Sequence, residues 1–164
     1  MKRISVLTFL MVVAITTLAF AQAKPDFSGT WVLDAAKSNL GLIGPGAKQA
    51  PMRTVTLVLK QTRDVLTIQR TVGERKETAV YKLDGSESTN KLPSGDETKS
   101  IVKWVDATLV SRTTAKMNDP QGGRNVEMTD VRSLSANGQV MTVVVTRQTP
   151  RGEVKQTLVY NKKK

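Results

Sequence analysis

Residues 53–72 read RTVTLVLKQTRDVLTIQRTV, two β-branched runs (53–61 and 64–72) on either side of Thr62-Arg63. In the second run Leu66, Ile68 and Val72 share one face with Arg70, while Thr67, Gln69 and Thr71 take the other. One apolar face and one wet face is what an antiparallel strand shows over a core. Two such runs so close together predict a hairpin with a tight turn.

The pattern repeats outward from there. KETAVYKL (76–83), TKSIVKWV (98–105), TLVSRTTAKM (108–117), NVEMTDVRSL (125–134), QVMTVVVTRQ (139–148) and EVKQTLVYN (153–161) are separated by Gly, Asn, Asp and Pro. ESTNKL (87–92) is a shorter candidate, and Phe27 to Leu33 is the first run. Ala35 to Pro51 is rich in glycine and proline and reads as a loop with at most one helical turn. Helical periodicity is almost absent after residue 24. These features predict an all-β, antiparallel up-and-down barrel of about eight strands, which leaves no open edge. A curved open sheet or a sandwich is the alternative. At eight strands the interior is either filled or just wide enough for one small ligand.

The first 23 residues, MKRISVLTFLMVVAITTLAFAQA, place Lys2 and Arg3 before an apolar core and small residues at Ala19, Ala21 and Ala23. This layout predicts a signal peptide cut after Ala21 or Ala23, and hence a periplasmic or secreted single domain, 24–164. That domain keeps 23 of the 25 Lys and Arg and all 14 Asp and Glu, a net charge of 23 − 14 = +9. Such a charge suits anionic partners, although a soluble basic surface is the plainer reading. Lys162, Lys163 and Lys164 read as a solvated tail. No further stretch is apolar enough to span a membrane, and nothing suggests specific nucleic-acid binding.

The chain has neither cysteine nor histidine. Disulfides, thiol nucleophiles and the commonest general base and metal ligand are therefore excluded. Ser88 and Lys91 formally match Ser-x-x-Lys, yet lie in a polar turn region without the partner motifs that chemistry needs. The glycines of GLIGPG (41–46) do not join a strand to a helix as phosphate loops do. The expectation is a protein that is not an enzyme and uses no metal or cofactor.

PDFSGTWVLD (25–34) opens the domain. A glycine two places from a tryptophan removes a side chain, so that the large indole can lie close against backbone. This stretch resembles the first strand of calycins, in which lipocalins carry Gly-x-Trp (here Gly29 and Trp31) and fatty-acid-binding proteins a similar Phe-x-Gly-x-Trp. KWVDATLVSRTT (103–114) is similar to a hairpin of the latter family. The chain also resembles small exported lipocalin-like bacterial proteins of uncharacterised function. They share the Asp-Phe-Ser-Gly-Thr-Trp opening, Lys37-Ser38, the Asp84-Gly85-x-Glu87 and Leu134-Ser135-x-x-Gly138 turns, and Gly152-Glu153.

The lipocalin resemblance implies that Phe27, Gly29 and Trp31 plug one end of the barrel, with a basic side chain across the tryptophan, for which Arg147 is the candidate. The fatty-acid-binding resemblance implies an Arg-x-Tyr pair on the last strand; Tyr160 matches, but Leu158 stands at the arginine position. If Leu158 and Tyr160 point inward, alternation places Met128, Asp130 and Arg132 on the inner face of their own strand. With Arg70 and Gln156 they would form the polar handle of a cavity, unless a bulge turns Asp130 and Arg132 outward or the two simply neutralise each other. Tyr81, Trp104, Met117 and Met128 are either an apolar wall or plain core. The expected function is enclosure of a small apolar or amphipathic molecule. The rival is an envelope-associated protein with a filled barrel, whose basic exterior contacts anionic polymers or lipids.

Overall fold

The computed structural model describes residues 24–39, 54–117, 124–149 and 152–164. The leader expected over 1–23 and most of the loop expected over 35–51 fall outside the described residues. Among those described there is no helix. The strands are β1 (Gly29–Leu33), β2 (Val55–Gln61), β3 (Val65–Val72), β4 (Arg75–Lys82), β5 (Glu87–Lys91), β6 (Glu97–Val105), β7 (Thr108–Met117), β8 (Arg124–Leu134), β9 (Val140–Thr149) and β10 (Gly152–Lys162). They form one antiparallel sheet in the order β4-β3-β2-β1-β10-β9-β8-β7-β6-β5, so only β10 to β1 closes out of sequence.

The count is ten rather than about eight. Every polar turn ends one ladder and starts another. The polar run 87–91 also pairs in full, from Glu87 opposite Ile101 to Lys91 opposite Glu97, because ladder bonds need backbone and not apolar side chains.

β4 and β5 are the two ends of the sheet, and side chains bridge them. Asn90 Oδ1 accepts from Val80 N at 2.8 Å while Asn90 Nδ2 donates to Val80 O at 3.0 Å, so one side-chain amide replaces a backbone partner. Ser88 Oγ accepts from Lys82 N at 2.9 Å. The Ser-x-x-Lys stretch is thus the seam of the barrel.

The tightest packing lies at one end. Trp31, Phe27, Leu59, Leu66, Leu109 and Met141 are fully buried. They sit beside the β2–β3, β6–β7 and β8–β9 turns, which share that end. Gln61 holds the incoming chain there: its Oε1 accepts from Phe27 N (3.1 Å), its Nε2 donates to Pro25 O (3.0 Å), and its N–H donates to Ser28 Oγ (3.0 Å). Trp31 Nε1 donates to Phe27 O at 2.9 Å, which satisfies the indole without water.

The cation across Trp31 is Lys162, with Nζ 5.3 Å from the ring centroid, and not Arg147. Register decides this. Lys162 pairs directly with Trp31, whereas Arg147 pairs with Val154 and Met128 nearer the other end. Lys162 therefore belongs to the barrel and not to a solvated tail. Its stem also explains Gly29, where φ is +137° and a Cβ would lie 2.6 Å from Lys162 Cε. At this position no side chain fits without displacing the lysine.

Candidate ligand cavity

Beyond the Trp31 layer the barrel holds a cavity of about 710 Å³, open toward the end with the β3–β4 and β5–β6 turns. Its apolar wall includes Leu33, Leu57, Ile68, Val72, Val143 and Leu158. Alternation delivers the polar groups. Tyr160 and Leu158 face Met141 and Val143 across the β10–β9 ladder. One strand further, Arg132 stands opposite Val143 and Asp130 opposite Val145, with no bulge to turn them outward.

Arg132 Nη2 donates to Asp130 Oδ2 at 3.0 Å, and the two side chains are 11% and 14% exposed. The pair is therefore mostly removed from water, where each charge depends on the other. Asp130 Oδ1 is buried with no partner among the described residues. Arg132 has donors beyond the one in this bond, since a guanidinium carries five N–H groups.

Both tyrosines of the chain, Tyr81 and Tyr160, line the same cavity. Burial pushes each phenol above its usual value of 10.0, the effect being moderated by the Arg132 cation and reinforced by the Asp130 anion. Arg70 on β3 also lowers the Tyr160 phenol electrostatically, so two strands that are not neighbours in the sheet share one polar centre. A raised phenol pKa adds stability that is present below the unfolded value, about 10, and lost as pH rises through the folded value. Phenolate absorbance should accordingly appear at higher pH in the folded protein than in denaturant. Coincident curves would mean that neither ring is buried.

The sequence candidates fall into three groups. Arg70, Tyr81, Met128, Asp130, Arg132, Gln156 and Tyr160 all line the cavity. Arg147 does too, as an exposed group whose Nε contacts Met128 Sδ at 3.3 Å. Trp104 does not. It lies at the closed end with its ring centroid 6.0 Å from Phe27, and Lys24 Nζ is 5.7 Å from its own centroid. Trp104 pairs with Leu109, one step from the β6–β7 turn, and that position fixes it in the plug. The Met117 side chain lies outside those described.

Glu77 was not singled out from the sequence, yet it faces the cavity and pairs with Arg70 at 3.7 Å. Its signal was alternation, since Glu77, Ala79 and Tyr81 share a face of β4. The family-like motifs elsewhere are structural. Ser38 Oγ donates to Asp34 O (2.6 Å) and accepts from Val159 N (3.0 Å), and Asn161 Nδ2 donates to Asp34 Oδ2 (3.0 Å). These bonds tie the chain after β1 to β10.

No family model matches the chain, and no curated protein matches it in sequence. Solved structures do match in fold. A fatty acid transporter, REP1-NXSQ, superposes with a TM-score of 0.58 at 15% identity over 84% of this chain and 96% of its own. The zebrafish ileal bile acid-binding protein in complex with cholic acid gives 0.57 at 17% identity, over 84% and 98%. An abundant heat soluble protein from Ramazzottius varieornatus gives 0.60 at 18%, over 83% and 94%. The fold is thus that of the calycin-type barrels, with ten antiparallel strands in this chain.

Proposed function

We propose that this protein is a non-enzymatic carrier that encloses one small amphipathic molecule, exported by way of its N-terminal leader. The observation that carries the reading is the cavity itself: apolar on most of its wall, with the Arg132–Asp130 pair and two phenols gathered at one polar centre. A lumen of about 710 Å³ lies in the range that holds a small molecule. The apolar wall supplies affinity, and the polar centre fixes which end of the guest goes in. Fold neighbours described as a fatty acid transporter and a bile acid-binding protein support enclosure of this kind. The basic Lys2 and Arg3, the apolar run from Val6 to Leu18 and the small residues Ala19, Ala21 and Ala23 support export.

The test is a titration of the purified protein with an apolar fluorescent probe, followed by displacement with anionic and neutral amphiphiles. The expected result is saturable one-to-one binding, displaced by an amphiphile, with little dependence on salt. A probe signal that never saturates, or that no amphiphile displaces, would overturn the carrier reading.

A further inference from the structure

The outer surface of the barrel is divided by charge. On β8, β9, β10, β1 and β2 the outward positions are mostly Thr and Val: Thr129, Val131, Thr142, Val144, Thr157 and Val159 run across three strands with no charge between them. On the other side, β4 to β7, the charged outward positions are mostly cations. Lys82, Lys91, Lys99, Lys103, Arg112 and Lys116 are all exposed. Glu87 and Glu97 are the acids on the β5–β6 part of this face, and Glu87 is taken up by Lys99 at 2.9 Å.

The same side carries the exposed large hydrophobic residues found among the described residues. Val80 is 46% exposed, Ile101 42% and Val105 53%, and they stand on β4 and β6 to either side of the short β5. Ladder register sets Ile101 between Glu87 and Arg112, and Val105 two places beyond Lys103 on its own strand. Apolar tips therefore stand among lysine and arginine side chains, whose long stems let their charges reach past them.

We propose that the β4–β7 face is a docking surface for an anionic lipid bilayer. A second copy of this chain is a poor occupant, because two such cationic faces repel. Apolar tips interspersed with cations fit an interface where aliphatic groups enter the headgroup layer and cations meet lipid phosphate. On the far side the Thr and Val patch is flanked by outward charges of both signs, Lys60, Glu127, Glu153 and Lys155, and adds little competing attraction, so the barrel docks in one orientation. The surface is separate from the cavity, and it stands whether or not the lumen takes a guest.

The test is co-sedimentation of the full chain with vesicles of phosphatidylcholine alone or with about one-third phosphatidylglycerol. The first variant set is Lys82→Glu, Lys103→Glu and Arg112→Glu together, and the second is Val80→Ser, Ile101→Ser and Val105→Ser together. Val144→Ser with Val159→Ser on the far face is the control, and thermal melts report that each variant is folded. The proposal expects binding only to the anionic vesicles, released at high salt, since charges are screened beyond a few ångströms near 1 M. Charge reversal should weaken it by roughly tenfold or more, the serine set should weaken it measurably, and the far-face pair should leave it unchanged. Equal binding to both vesicle types would overturn the proposal, because a face that docks through its cations must tell anionic from neutral lipid. So would equal loss in all three variants, or no binding at all.

Discussion

Replacing Trp31 with alanine is expected to lower stability by about 3–5 kcal/mol. The indole is fully buried, its Nε1 donates to Phe27 O, and it lies between the Phe27 segment and Lys162. Removing it leaves a void in the layer that closes the barrel, and Phe27 O loses its donor. For a domain of this size the loss corresponds to a fall in melting temperature of roughly 10–15 °C. Trp31→Phe should lose less, because the ring volume is largely kept while the hydrogen bond is not. Probe affinity measured well below the melting temperature should change little, since Trp31 does not line the cavity. An unchanged melting temperature would remove Trp31 from the role of plug. Intact stability with abolished binding would place it in the ligand site instead.

The β-architecture was legible because its signal is local and repeated. Alternation in 64–72 and the turn dipeptides between runs each depend on a few neighbouring residues, and the structure reproduces both. The strand number was less legible, since a polar segment such as 87–91 can be marked off as a candidate but has no apolar face to show that it pairs, and it does so through backbone. The formal Ser88-x-x-Lys91 match carries no chemistry in the sequence, and within that stretch Ser88 and Asn90 bridge β4 to β5. The inward positions Asp130 and Arg132 followed from parity once Tyr160 was taken as inward, because no bulge intervenes on β8 or β9.

What parity does not reveal is height along the barrel. Trp104 and Tyr81 both point inward, yet one belongs to the closed end and the other to the cavity. The same limit separates Lys162 from Arg147. Both are cations on inward faces of late strands, and only the register of β10 against β1 shows which one meets Trp31. Long-range register is a property of the closed sheet, so it is absent from any single strand.

The Asp130–Arg132 pair is expected to give the second large effect, and a double-mutant cycle is the way to read it. Arg132→Leu leaves the Asp130 carboxylate mostly buried with neither oxygen paired, a loss of about 3 kcal/mol, the low end for broken buried pairs because the cavity is open at one end. Asp130→Leu should destabilise by a similar amount for the mirror reason. Removing both charges should restore most of the stability, since the wall around them is otherwise apolar and the residual energy of a mostly buried pair is small. Additive losses in the double variant would mean that each group is held by other partners. The cycle also separates structure from binding. In the stable double variant a neutral amphiphile should displace the probe nearly as well as from the wild type. An anionic one should be weakened roughly tenfold or more, the usual loss for a hydrogen bond to a charged group. Equal affinities for the two would detach Arg132 from the ligand and leave the pair as a purely structural neutralisation inside the barrel wall.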